Sequence, residues 1–310
     1  MDGRLWDKLY REVRLLGKKQ VPSRRAGRPR TYGTDEVLLV WLFAAMMNWS
    51  ISKAQRELRE GPPGWWLRRH WEWPTRVPSL PTLTRRAQAP DFRWMLRALL
   101  RKVRAWQARQ PTRIVVMDAT LLLTGPYSRD PESGWTCHGG KWFRGYALHA
   151  ICDEHGILWS WHVTSANVQE MKVGRRLIRQ LAILAKGRIR WVVSDSGYDS
   201  EPLHQLTRRR LRAPLLAPIN ARGSKTGAWR MTQPGRAAAE EYLATALGKK
   251  IMSTRCVIEQ WNGWFKGTSG VSMLPHSVRR LHRVRLWINL KLALFFAHQS
   301  FVRRGLSTVA

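Results

Sequence analysis

At Pro111 the periodicity of the chain changes, and that change limits the architecture more than any other feature of the sequence. Before it, apolar residues recur at helical spacing; after it, they come in short runs of strand length. Leu5, Leu9, Val13 and Leu16 mark a first helix over Arg4 to Leu16, closed at Gly17. Thr34 is expected to cap a second helix through Asn48, with Asp35 and Glu36 placed against the positive end of its dipole. Ser50 or Ser52 starts another to about Leu58. A Gly61-Pro62-Pro63-Gly64 break and a Trp-rich stretch (Trp65, Trp66, Trp71, Trp73) follow. Ser79 caps a helix carrying Thr82, Thr84, Arg85 and Arg86, and a last helix runs from Asp91 to Arg109. Short helices in this order resemble a helix-turn-helix arrangement in which Arg85 and Arg86 reach DNA; the alternative is a helical packing subdomain with surface arginines. Residues 1–110 are therefore expected to form a helical, helix-turn-helix-like DNA-binding domain.

From Pro111 the pattern predicts strands over Arg113 to Ala119, Arg144 to Cys152 and Gly156 to Thr164, the last two joined at Asp153-Glu154-His155-Gly156. Helical spacing returns over Val168 to Ala185. A fourth strand is expected over Arg190 to Ser194 and a fifth over Leu215 to Ile219. The order βββαβ, then a further strand and helices, implies an α/β fold: a mixed sheet flanked by helices, on the plan of a ribonuclease H-like domain, over residues 111–310.

Lys and Arg number 54 against 21 Asp and Glu, a formal charge of +33. Such an imbalance points to a polyanionic partner. With 44% hydrophobic residues the chain is no disordered basic tail. The three cysteines, Cys137, Cys152 and Cys256, share no CxxC spacing, so neither a disulfide framework nor a zinc ribbon is supported. The longest apolar run, Val37 to Met47, is too short to span a bilayer. A cytoplasmic, nucleoid-associated protein is the expectation. Gly27-Arg28-Pro29-Arg30 resembles the core of an AT-hook, which would lay Arg28 and Arg30 in a minor groove; a solvated linker is the other reading.

Few acidic residues follow position 110, so each can be weighed. Asp130, Glu132, Asp153, Glu154, Glu240 and Glu241 lie beside turn formers or one another and are expected in solvent. Asp118 and Asp195 differ. Each directly ends an apolar strand, Val115-Val116-Met117-Asp118 and Val192-Val193-Ser194-Asp195, where a sheet presents side chains to a ligand. A third candidate is Glu259, because Arg255, Glu259 and Lys266 fall on one helical face. Alone, that stripe is an ordinary surface ion pair.

With these blocks in order, the chain resembles the DDE transposases of bacterial insertion sequences. Their terminal block Tyr-x2-Arg-x3-Glu-x6-Lys is met by Arg255, Glu259 and Lys266, with Met252 at the Tyr position. Val116-Met117-Asp118-Ala119-Thr120 resembles the first aspartate block, and Asp195-Ser196-Gly197-Tyr198-Asp199 the second. Val163-Thr164-Ser165-Ala166-Asn167-Val168-Gln169-Glu170 resembles a Val-Thr-x-x-Asn-x-x-Asp segment, with Glu170 replacing Asp. The resemblance implies a transposase that binds terminal inverted repeats, then cleaves DNA and transfers strands. It implies catalytic, metal-holding carboxylates Asp118, Asp195 and Glu259, and two Mg²⁺ ions, with Mn²⁺ able to substitute, sharing Asp118. Arg255 and Lys266 would grip phosphates, Trp261 and Trp264 would stack on a base or pack the helix, and a homodimer would assemble on transposon-end and target DNA. Two alternatives stay open: a non-catalytic DNA-binding derivative, and a metal-dependent nuclease without strand transfer.

Overall fold

The computed structural model describes residues 3–19, 31–62, 64–65, 77–107, 111–125, 127–185, 187–220 and 233–307. Arg28, Arg30, Trp66, Trp71 and Trp73 lie outside them. The chain forms two compact units, residues 1–109 with 286–310, and residues 110–285.

The first unit is helical. It holds α1 (Gly3–Lys18), α2 (Thr34–Met46), α3 (Ile51–Glu60), α4 (Leu80–Ala87) and α5 (Pro90–Ala105). α1 buries Leu5, Leu9, Val13 and Leu16, as their spacing requires, together with Trp6. α2 is apolar all round, burying Val37 to Val40 and Leu42 to Ala45, and so forms the centre of the unit. Its cap differs from expectation. Gly33 is the N-cap, its N–H donates to Glu36 Oε2 at 2.8 Å, and the Thr34 hydroxyl instead donates to Asp91. α2 and α3 meet at 107° across a short break in which Asn48 takes a left-handed φ of 54°. The two helices are thus joined by a tight turn. α3 is capped by Ser50, which accepts from Lys53 N. No single helix among the described residues is long and apolar enough to cross a membrane.

The second unit is built on a six-stranded mixed sheet. Its strands are β1 (Ile114–Leu123), β2 (Gly134–His138), β3 (Lys141–Asp153), β4 (Leu158–Ser165), β5 (Trp191–Ser194) and β6 (Leu215–Leu216). The order is β2-β3-β1-β5-β6, and β4 also pairs with β3. β1 runs antiparallel to β3 and parallel to β5, the ribonuclease H-like plan that the element order predicts. Helices α6 (Glu170–Leu184), α7 (Glu201–Leu211), α8 (Pro234–Ala244), α9 (Ala246–Met252) and α10 (Arg255–Ser269) surround it, and α11 (Leu281–Ser307) starts in this unit and continues into the first. Two differences from the sequence reading matter: β1 runs on to Leu123, and β2 is an unpredicted strand.

Alternation along β1 decides what faces what. Val115 and Met117 join Ile151, Val192, Leu177, Ile178, Leu181 and Leu203 in one apolar cluster under α6 and α7. The intervening residues, Val116 and Asp118, therefore point to the other face, where α10 packs. There Trp261 is buried and stacks on Phe265 at 5.2 Å, which assigns this tryptophan to the core; burying each such ring contributes about 2–3 kcal/mol. Trp264 is partly exposed.

The turn carboxylates correct an expectation. Asp130 and Asp153 are buried rather than solvated. Asp153 accepts from Thr112, His155 N, Ile157 N and Trp159 Nε1. Asp130 accepts from Tyr146 Oη at 2.6 Å and Arg280 N at 2.9 Å, while Glu132 accepts from Leu281 N at the start of α11. Backbone and hydroxyl donors replace the lost solvation, which makes burial tolerable.

Candidate active site

Parallel pairing of β1 with β5 sets Met117 opposite Ser194, so the next residues, Asp118 and Asp195, leave adjacent strands at the same level of the sheet. Asp118 stays within β1, opposite Ala150 of β3. Asp195 caps a short 3-10 turn, Ser196–Tyr198, accepting from Gly197 N at 3.1 Å. α10 brings the third carboxylate. Glu259 lies one helical turn before Asn262, whose Nδ2 donates to Asp118 Oδ2 at 2.9 Å.

Burial pushes the Asp118 carboxyl up to about 6. The charges of Asp195 and Glu259 act in the same direction, against the Ala119 N–H and Arg255. Asp118 thus feels both other carboxylates. Glu259 itself is 60% exposed and paired with Arg255 Nη2 at 3.4 Å. Lys266 is half-buried; burial pulls its ammonium below the ordinary value, and the charge of Asp118 partly restores it. Arg255 thus pairs with Glu259 and also acts on Asp118, whose charge reaches Lys266 as well.

The remaining predicted contacts lie in the first unit. Arg85 is exposed on α4. Arg86 is buried, donating to Tyr32 O at 3.0 Å and Thr34 Oγ1 at 2.8 Å beside Asp91, which departs from the expectation of a DNA contact. Its guanidinium holds α4 to the start of α2.

Two further residues join the predicted set at the site. Asn262 is one, and its signal is the spacing of three from Glu259. The other is Glu170, in the first turn of α6, which the sequence marks only as the last position of the Val163 segment. A Cβ on Gly197 would collide with Glu170 Oε2 and come within 3.2 Å of Asp195 Oδ1. Only a glycine lets the Glu170 carboxylate approach the Asp195 turn this closely. Beneath them, His149 Nδ1 bonds Tyr198 Oη and its Nε2 bonds Thr164 Oγ1, both at 3.0 Å, tying β3 and β4 to the same turn.

Whether these groups suit a divalent cation can be judged from the donors. Asp118, Asp195 and Glu259 supply hard oxygens, and Asn262 Oδ1 is a buried carbonyl oxygen without a hydrogen-bond partner beside Asp118. A cation there would offset the burial, and the charges of Asp195 and Glu259, that raise the Asp118 carboxyl. Among the described residues, however, no three of His, Cys, Asp or Glu stand close enough to hold one ion together. The donor chemistry fits, and Glu259 stands exposed beside Arg255.

The histidines give a pH test. Burial lowers His149 to about 4, with His162 adding to the effect, and burial with Arg176 and Arg285 lowers His162 to about 4. Both are neutral in the folded protein near neutrality, so the unfolded chain takes up protons first as the pH falls from 6.5. Stability from this source is complete above about 6.5 and is lost toward pH 4. Denaturant titrations at pH 7 and 4.5 should lose about 2–3 kcal/mol through His149, and His149→Gln should flatten that slope. An unchanged slope in the variant would mean that His149 titrates normally.

No curated protein matches the chain. The transposase DDE domain family matches residues 109–296, which spans more than half the chain and encloses both aspartate strands, the Glu259 helix and the sheet between them. The chain therefore belongs to the transposase DDE domain family.

Proposed function

We propose that the protein binds the terminal inverted repeats of its element and catalyses metal-dependent DNA cleavage and strand transfer, with Asp118, Asp195 and Glu259 as the catalytic carboxylates. The observation that carries this reading is the position of Asp118, which senses the charges of Asp195 and Glu259 and is held by Asn262 from the helix that bears Glu259. Membership of the family gives the transposase-type, nuclease chemistry on DNA.

The residues then have separable tasks. Asp118 and Asp195, fixed by adjacent strands, form the rigid part of the cation site, and Asn262 orients the Asp118 carboxylate. Glu259 closes the set, releasing Arg255 to a DNA phosphate. Lys266 balances charge beside Asp118 and contacts the phosphate nearest it. Two Mg²⁺ ions, or Mn²⁺ in their place, would be held by Asp118, Asp195 and Glu259 and would stabilise the attacking and leaving oxygens at phosphorus.

End recognition falls to the first unit. Besides Arg85, α3 is favoured as the recognition helix, since it follows the 107° turn and exposes Ser52, Lys53, Arg56 and Arg59. Lys53→Ala with Arg56→Ala should weaken binding and lower the salt slope by roughly one for each phosphate no longer neutralised. A homodimer on paired ends is the expected assembly. The reading as a whole is tested by incubating the purified protein and Mg²⁺ with DNA carrying the flanking inverted repeats and mapping the products. Cuts at the repeat ends, followed by joining to a second DNA, are expected. Cutting without joining would reduce the function to a nuclease, and end binding without cutting would reduce it to a DNA-binding derivative.

A further inference from the structure

The strand that the sequence did not reveal forms a structure of its own. β1 pairs with β3 only as far as Leu123 and Gly145, and β4 pairs with β3 only from Tyr146 onward. Lys141 to Phe143 therefore pair with β2 alone, Arg144 O still accepting from Thr124 N and Oγ1, and a two-stranded ribbon closed at Gly139-Gly140 runs past the end of the sheet. Both glycines have positive φ, 57° and 75°, as a two-residue hairpin turn requires. The ribbon leaves from the carboxyl end of β1, the same end at which β5 delivers Asp195.

Its surface suits no protein core. The register sets Trp135 opposite Arg144 and Cys137 opposite Trp142, so all four side chains share one face. Trp135 is 52% exposed and Trp142 68%. Trp135 is held in place nonetheless. Its ring lies 5.8 Å from the Arg144 guanidinium, which donates to Ser128 O, Asp130 O and Ser133 Oγ. No acidic residue occurs from Gly134 to Gly145, while His138 and Lys141 flank the tip and Arg129 is exposed nearby. The neighbouring acids are occupied: Asp130 is buried and Glu132 accepts from Leu281 N.

We propose that this ribbon is a DNA-gripping arm that enters a groove of the duplex beside the cut, with Trp135 and Trp142 against the sugar walls and Lys141 on a phosphate. Charge complementarity selects the occupant, since an acid-free ribbon on a chain of charge +33 favours a polyanion. Shape agrees, because a major groove about 12 Å wide admits a two-stranded ribbon. Position agrees as well. Arg144 and Trp142 precede Ala150, the partner of Asp118, by six and eight residues along β3, about 20–26 Å at the rise of a strand. That reach corresponds to about six to eight base pairs from the scissile phosphate. The inference rests on the proposed action at DNA ends.

The test uses metal-free full-length protein, so cleavage plays no part. Binding is measured on a duplex reaching about two helical turns to either side of the repeat boundary, and on duplexes cut back on the element side, the flanking side or both. The double variant Trp135→Ala/Trp142→Ala should bind the full duplex about tenfold or more weaker than wild type. Its hydroxyl-radical footprint should lose protection about six to eight base pairs from the boundary. Wild type and variant should bind alike on the duplex cut back on both sides, and the single truncation that erases the difference identifies which DNA the arm holds. Trp135→Phe/Trp142→Phe should restore most of the affinity. Equal binding of wild type and variant to the full duplex would overturn the proposal, as would an equal loss on the fully truncated duplex. So would a change from dimer to monomer in light scattering, which would make the face a contact between two copies. If no DNA is ever cut while the footprint behaves as expected, the catalytic reading fails and the arm stands; cutting that depends on Asp118 with tryptophan variants that bind normally gives the reverse.

Discussion

Asp118→Ala yields a folded protein that binds its DNA ends and does not cut them, with a rate at least about a thousandfold below wild type. The expectation follows from position. Asp118 senses both other carboxylates, receives the Asn262 amide and influences Lys266. Asp195→Ala and Glu259→Ala should fall to a similar floor. Groups that act as one unit are non-additive, so Asp118→Ala/Asp195→Ala should be no slower than either single variant. Binding should stay level or tighten, because a negative charge facing phosphate has been removed. The folded state should also gain: Asp118 is strained as an anion, and its carboxyl, raised to about 6, favours the protonated form. Asn262→Ala should lie between, slowing cleavage while leaving the three carboxylates in place. Wild-type cutting by any of the three carboxylate variants would end the assignment, and a rate loss matched by lost end binding would move that residue to recognition.

The largest loss of stability belongs to the other aspartate of the second block. Asp199 is buried and accepts from Arg236 Nε at 3.0 Å, His204 Nε2 at 3.3 Å and Asn220 N at 3.0 Å. Burial alone would raise its carboxyl, yet the hydrogen bonds of His204 and Asn220 and the charge of Arg236 hold it below the usual range. These bonds, with Glu201 accepting from Gly235 N and Arg236 N, fasten α8 to the start of α7. Asp199→Ala leaves the buried Arg236 cation uncompensated and should cost about 3–5 kcal/mol. Asp195→Ala, four residues earlier, removes a turn cap and should cost no more than about 1 kcal/mol. Denaturant unfolding of the two variants side by side checks the contrast. A stable Asp199→Ala protein without cleavage would place Asp199 in the chemistry instead.

The contrast also marks how far the sequence could be read. Asp118 and Asp195 stand out because an apolar run with strand spacing ends on each, and parallel pairing then sets them side by side. The same residue type at Asp199, Asp130 and Asp153 serves as a buried anchor. Several of its donors come from distant chain, as when Arg280 N reaches Asp130 across 150 residues and Arg236 reaches Asp199 across 37, and no local pattern reports that. Arg86 reads as a surface cation for the same reason, since its partners lie more than fifty residues away. The ribbon is missed because one face is exposed at Trp135, Cys137 and Trp142 and the other only partly buried at Thr136 and Phe143, so no apolar alternation marks Gly134 to His138; the Gly139-Gly140 pair between aromatic segments is its signal. The sharp turn between α2 and α3 contains Asn48, whose left-handed φ a single residue type suggests only weakly.

If Asp118 holds a catalytic cation, exchanging its carboxylate for a softer ligand must change which ion supports cutting. In Asp118→Cys a thiolate replaces a hard carboxylate, which disfavours Mg²⁺ and tolerates the softer Mn²⁺. The measurement is cleavage of inverted-repeat DNA by this variant with each ion in turn, beside the wild-type protein. No cutting with Mg²⁺ and substantial recovery with Mn²⁺, at the same phosphodiester bonds, is the expected result. Undiminished cutting with Mg²⁺, or a folded, DNA-binding variant that Mn²⁺ fails to restore, would contradict it.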